Sequence, residues 1–415
     1  MRAEVVLFTI LLILAKYSAF QWIIVEDYSP GRDVALSVCV HNGKIYIVGF
    51  DEADSIPVMR AEARESSTGA LLSVWRGFMG TLYDCYASDD GVYAVGTVNI
   101  SGRDFGWIIV RFDGDLNVVS MEISNPSDGM DVATSIYLDD VYIYILGAAT
   151  GSSFNGYRIE KRMAGDLHLK AIHTMEAPLS WMWSYAFPKI TSDQNGLLWV
   201  LYLYVDSSGI EVPRIEILDK NLNSIKTVDL EVVKGYPYAI VHTQDGHVYI
   251  GGSMGIMRID DRGNILLERK LDGYIVFGLA HIDGNKLLAF SSKIIAPPYI
   301  TMNSLFVLSE NLDIAANVTI STRSPWILWN GRIGIDGNSV YVAASEYREL
   351  EPMPKNEMWA VYSVNKAELE NIRMYKTHGG VQLIHIPLII VVLTLVAILV
   401  RAIMRRARGS QTYIG

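Results

Sequence analysis

The chain has 415 residues, 50% of them hydrophobic, with a formal net charge of −10 and two cysteines. That acidic balance, without a basic stripe, argues against nucleic acid as a partner, because phosphate binding needs clustered lysine and arginine. The length suits one large domain or two ordinary ones, and a repeat running through it favours one.

Residues 1–20 read as a signal peptide or an N-terminal anchor. Arg2 precedes the apolar run Val5 to Ala15, and Lys16-Tyr17-Ser18-Ala19 follows. Lys16 or Tyr17 at the third position before a cut suits cleavage poorly, so both readings stand.

Across residues 21–376 a short apolar stretch repeatedly ends in a tight Asn/Asp turn and is followed by a second β-rich run. The turns sit at Asn42-Gly43, Asp90-Gly91, Asp139-Asp140, Asn195-Gly196, Asp245-Gly246, Asp283-Gly284 and Asp336-Gly337. Such dipeptides tolerate the positive φ that two-residue hairpins require. Their spacing of roughly 40–55 residues matches one four-stranded propeller blade. The second unit shows the pattern, with strands predicted over Tyr83 to Ala87, Val92 to Val98, Gly106 to Phe112 and Leu116 to Ile123. Its third turn, Asp113-Gly114-Asp115, recurs at Ala164-Gly165-Asp166, Asp219-Lys220-Asn221, Asp261-Arg262-Gly263 and Glu310-Asn311. Four antiparallel strands cannot bury both faces alone, so neighbouring units must stack. The expected fold is all-β, a single seven-bladed β-propeller of four-stranded antiparallel blades, with an N-terminal signal segment and a C-terminal transmembrane helix.

Three stretches carry a family likeness: Gly106-Trp107-Ile108-Ile109-Val110-Arg111-Phe112-Asp113, and the matched openings Asp33-Val34-Ala35-Leu36-Ser37-Val38 and Asp131-Val132-Ala133-Thr134-Ser135-Ile136. With the Asp/Asn-Gly turn that follows, the chain resembles secreted bacterial and archaeal β-propeller repeat proteins, here as a membrane-anchored member. The resemblance covers roughly residues 21–376, closely in repeats 1 to 3 and loosely in 4 to 7. It implies a fold and an exported location, not an activity. Low glutamine and cysteine with many Tyr, Ile and Val suit a thermophilic archaeal source.

Two segments compete to close the ring. Trp22 to Tyr28 precede Asp33 as Val118 to Ser124 precede Asp131, while Leu369 to Lys376 also align with a fourth strand. Closure by the second would hold one rim close to the bilayer, and closure by the first would lengthen the tether. The cysteines also raise a register question. Counting back from Tyr46 and Tyr93, Cys39 matches Tyr86 and Cys85 matches Val38. One residue out of step, the thiols are expected to face opposite ways and not to bridge.

After a linker at 377–382, residues 383–400 are almost wholly apolar and long enough to cross a bilayer. Arg401, Arg405, Arg406 and Arg408 lie in the tail 401–415, which the positive-inside rule places in the cytoplasm, leaving the propeller outside.

No catalytic motif emerges. Trp181, Trp183, Trp326 and Trp329 cluster just before the first strands of repeats 4 and 7, where indoles can stack on sugars or grip a peptide, or simply fill between blades. Glu346 and Glu351 lie in a charged stretch, 346–355, that reads as an insertion between strands and a binding candidate. His242 and His281 occupy equivalent places, seven residues before the position of Tyr46, a place that Cys39 shares. They are weak metal candidates, since zinc or copper needs a third ligand that no spacing supplies. Asp113, Asp115 and Asn117 open like a calcium loop, but Val118 stands where glycine is needed and Ser124 where an acid is needed.

No cofactor is expected. The leading reading is a cell-surface binding module for a protein or glycan partner. An exported hydrolase or oxidoreductase with a site over the channel, and a structural subunit of an envelope assembly, are its rivals.

Overall fold

The computed structural model describes residues 19–53, 56–177, 188–230, 235–243, 246–260, 262–282, 286–296, 300–325, 332–349 and 355–371. These lie within one compact unit, Ala19–Ile372. The segments 1–18 and 373–415, with the expected signal and membrane spans, lie outside the described residues. Among the described residues no helix is long and apolar enough to cross a membrane.

The architecture is all-β. After β1 (Phe20–Glu26) the first antiparallel group is β2 (Asp33–His41), β3 (Lys44–Ala53), β4 (Ile56–Glu65) and the first half of β5 (Leu71–Ser88). The second half of β5 opens the next group with β6 (Gly91–Ser101), β7 (Asp104–Phe112) and β8 (Val118–Ser124). The third is β9 (Met130–Leu138), β10 (Tyr142–Thr150), β11 (Asn155–Met163) and β12 (Leu169–Glu176). Next come β13 (Lys189–Ser192), β14 (Leu198–Val205), β15 (Glu211–Leu218) and β16 (Ser224–Asp229), then β17 (Pro237–His242), β18 (Val248–Gly252), β19 (Gly255–Ile259) and β20 (Ile265–Arg269). A further group holds β21 (Ile275–Ile282), β22 (Lys286–Ala296), β23 (Ile300–Leu308) and β24 (Ile314–Pro325). Finally β25 (Ile333–Asp336), β26 (Ser339–Glu349) and β27 (Lys355–Asn365) precede a short helix, α1 (Lys366–Asn371).

The strands of the second group fall where alternation placed them, except at its start. β5 runs unbroken from the outer edge of one group to the inner edge of the next. At the junction a Cβ on Gly80 would stand 2.1 Å from the Thr97 carbonyl oxygen, so only glycine lets the two backbones approach.

The competition for the closing strand is decided by β1. It pairs antiparallel with β27, from Phe20 opposite Val364 to Glu26 opposite Trp359. Trp22 seals the join, donating from Nε1 to the Ser66 carbonyl at 3.0 Å and lying 5.8 Å from the Tyr341 ring. Leu369 to Lys376 is therefore not a closing strand over its described part. Asn365 caps α1 instead, its Oδ1 accepting from the Ala367 N–H at 2.9 Å, and Leu369 is buried in the core.

The core lies between groups, as stacking requires. Tyr46 and Met59 pack with Ile108 and Phe112, and Tyr93 and Trp107 with Ile143 and Leu167. Leu146 and Tyr157 meet Val200 and Tyr202, and Trp199 and Ile215 meet Ile250 and Met257. Tyr249 packs with Phe306, and Phe290 with Tyr362. Tyr341 and Trp359 of the last group return to Val38 and Ile47 of the first. The arrangement is propeller-like, each sheet burying one face on the sheet before it and the other on the sheet after.

The same stacking overturns the cysteine expectation. The register count is right, for Cys39 pairs with Tyr46 and Tyr86 with Tyr93, leaving Cys85 one step out. Yet Cys39 and Cys85 form a disulfide with Cα atoms 5.9 Å apart. Side chains that leave opposite faces of two stacked sheets meet in the layer between them.

Third turns carry a recurrent strain. Leu116, Leu167, Leu222 and Leu312 all adopt left-handed backbone conformations, with φ of 61–67°, and all are buried. Burying the side chain between sheets offsets a conformational cost of roughly 1 kcal/mol.

Candidate ligand-binding channel

A cavity of about 180 Å³ is lined by Asp84, Ser135, Lys189, Tyr238, Phe277 and Arg332. Each comes from the first strand of a different group, or, for Arg332, from the residue leading into it. The opening strands of every group but the first thus converge on one space. A second cavity of about 210 Å³ is bounded by Cys39, Cys85, Tyr86 and Gly334, and Arg332 lines both.

Asp84 is the hub. Its carboxylate accepts from Ser37 Oγ at 2.8 Å, the Cys85 N–H at 3.0 Å, the Ile136 N–H at 3.1 Å and Arg332 Nη1 at 3.0 Å. Four donors fill the lone pairs of a carboxylate, so Asp84 ties inner strands together rather than standing ready as a base. Arg332 also donates to the Cys85 carbonyl, and to the Ile136 carbonyl at 3.4 Å.

Lys189 is different. No hydrogen bond or ion pair joins its ammonium to a described residue. Burial drives its pKa down to about 8, with the Asp84 charge opposing and the Arg332 charge reinforcing the shift. The cavity thus pairs one satisfied carboxylate with two cations, against apolar walls from Phe277 and Leu279.

These residues escaped the sequence reading. The available signal was an ionisable residue at the mouth of an otherwise apolar first strand, as in Lys189-Ile190 and Arg332-Ile333. The match between openings at Asp33 and Asp131 proves structural. Asp33 accepts from Ser29 Oγ at 2.7 Å and Asp131 from Ser127 Oγ, each fixing the turn into an inner strand. Buried Arg-x-Glu-x-Arg runs were also missed: Arg60 and Arg64 bracket Glu62 at 2.7 Å each, and Arg158 and Arg162 bracket Glu160.

Of the predicted site residues, Trp181, Trp183, Trp326, Trp329 and Glu351 lie outside the described residues. Glu346 belongs to β26, opposite Met358, and accepts from the Tyr362 hydroxyl. Much of the supposed insertion is therefore strand, since β26 and β27 extend until Glu349 faces Lys355. His242 pairs with Val248 and His281 with Leu287, equivalent to each other but not to Cys39, which faces Tyr46 across a hairpin of different length. His242 lies 6.1 Å from the Trp199 ring. Among the described residues no three His, Cys, Asp or Glu side chains are grouped to hold a metal. Asp113 uses its carboxylate within its own turn, accepting from the Asp115 and Asn117 N–H groups at 2.9 Å each.

No family model and no curated protein matches the chain. Solved structures are similar in fold. An ulvan lyase of polysaccharide lyase family PL25, bound to GlcA(1-4)Rha3S, is 9% identical over 85% of this chain and 100% of its own, with a TM-score of 0.52. A second structure of that lyase is 10% identical over 86% and 100%, with a TM-score of 0.51. A quinohemoprotein alcohol dehydrogenase from Comamonas testosteroni is 9% identical over 87% and 78%, at 0.48. The class defined is an all-β, propeller-like protein. At such identities the likeness is one of fold alone.

Proposed function

We propose that this protein is an exported seven-bladed propeller, anchored by residues 383–400, that binds a protein or glycan partner at the mouth of its channel. The strand groups and their inter-sheet cores, the last returning to the first, support a closed ring of seven. The Cys39–Cys85 disulfide supports export, since such bonds persist in oxidising compartments. The observation that carries the binding reading is that Lys189 and Arg332 line one cavity, and each closely follows a tryptophan-bearing stretch of sequence, Lys189 after 178–187 and Pro188, Arg332 directly after 326–331. Cations that follow indoles within a few residues of sequence suit recognition of a polar ring or chain. The filled lone pairs of Asp84 favour binding over acid–base catalysis.

The test uses the full chain in detergent micelles on an array of neutral and acidic glycans and peptides. Saturable capture by the wild type and its loss in Trp183→Ala and Trp329→Ala, with unchanged melting, supports the reading. Equal capture by all three proteins would overturn it.

A further inference from the structure

Among the described residues, the charged groups lining the cavity are one carboxylate, Asp84, paired with Arg332, and a second cation, Lys189, so the lining carries one positive charge in excess. Leaving a charge unpaired in a low-dielectric site is costly, and an anion is the direct remedy. The size narrows the choice. At about 180 Å³ the space is smaller than the roughly 300 Å³ at which sites for drug-sized ligands begin, so it suits a small molecule. The walls narrow it again. Tyr238, Phe277 and Leu279 offer apolar surface next to the cations, which a fully hydrated inorganic ion would not use.

We propose that the channel cavity is a binding site for a small monocarboxylate, its carboxylate held by Lys189 and Arg332 and its apolar part against Phe277 and Leu279. The Asp84 lone pairs are already taken, so Asp84 neutralises Arg332 and leaves Lys189 as the main anchor. With its pKa lowered only to about 8, Lys189 stays charged at neutral pH, and a bound carboxylate would raise that pKa again. The site is independent of partner capture at the channel mouth, and either can fail without the other.

Isothermal titration of the full chain in detergent, with benzoate as probe and benzamide, chloride and sulfate as controls, tests this. Benzoate should bind at one site and raise the melting temperature, while benzamide of the same shape should not. Lys189→Met should weaken benzoate binding by about 10–100-fold, the equivalent of one charge-assisted hydrogen bond, and Lys189→Arg should restore most of it. If Lys189→Met does not fold, Lys189→Gln and the benzoate–benzamide contrast on the wild type carry the same decision. Benzamide binding as tightly as benzoate, benzoate binding undiminished in the uncharged variants, or no benzoate binding at all would each overturn the site.

Discussion

Cys39 and Cys85 are bonded across the layer between the first two sheets, although one stands a register step away from the other in the repeat. The bond joins residues 46 apart in sequence and ties the inner strands of the first two groups. Closing a loop of that length restricts the unfolded chain by about 4 kcal/mol in the chain-entropy model. Urea unfolding of the Cys39→Ala/Cys85→Ala variant should show a loss of that order. A loss under about 1 kcal/mol would show that the ring holds itself without the bond.

Trp22 should matter more than its place near a signal segment suggests. It fixes β1 to both the last and the first groups, through Tyr341 and the Ser66 carbonyl. Trp22→Ala is expected to cost about 3 kcal/mol, in the range of large-to-small changes at packed aromatics. Truncation beyond Glu26 should cost far more and expose β27 as an open edge prone to self-association, visible by light scattering.

Asp84→Ala would strand the donors of Ser37, Ile136 and Arg332 at the channel wall. Because the Arg332 side chain is 33% exposed, the cost should fall below the roughly 3–5 kcal/mol of a fully buried ion pair, which chemical denaturation will read. Arg332→Met should cost less, because Ser37 and two backbone N–H groups still serve Asp84. An equal or larger cost for Arg332→Met would show that the guanidinium, not the carboxylate, is the hub.

Asp33 brings a pH dependence with a definite sign. Burial raises its pKa to about 6 despite the Ser29 hydrogen bonds. The native state then holds the proton more tightly than the unfolded state, so this group loses stability as pH rises from about 4 to 6 and the loss is complete above that. Asn can keep the Ser29 and Tyr28 contacts without the charge. Asp33→Asn should equal the wild type at pH 4 and exceed it by at most about 3 kcal/mol at pH 7. A gain that does not change with pH would disprove the ionisation account.

Much of the fold was legible because β-structure writes a period of two and its turns demand particular residues. Asn42 and Gly43 adopt φ of 49° and 71°, the pair of positive values that their identities predict. Beyond its first strand the second group followed closely from alternation, although Leu116 belongs to the turn and not to the fourth strand, and the turn at Asp113 was readable as a turn. The candidate site was not legible in this way. Lys189, Asp84 and Arg332 come from chain positions more than 50 residues apart, and the local signal, an ionisable residue at the start of an apolar strand, does not say which others share its cavity. The fate of the termini was equally undecided, since Trp22 to Tyr28 and Leu369 to Lys376 both carry strand character and only competition for the β27 edge separates them. Local pattern determined which residues form strands and where they turn, because those choices depend on neighbours in sequence. The disulfide, the closing strand and the charge balance in the channel were decided by tertiary structure, because each depends on which faces and edges meet once the sheets stack.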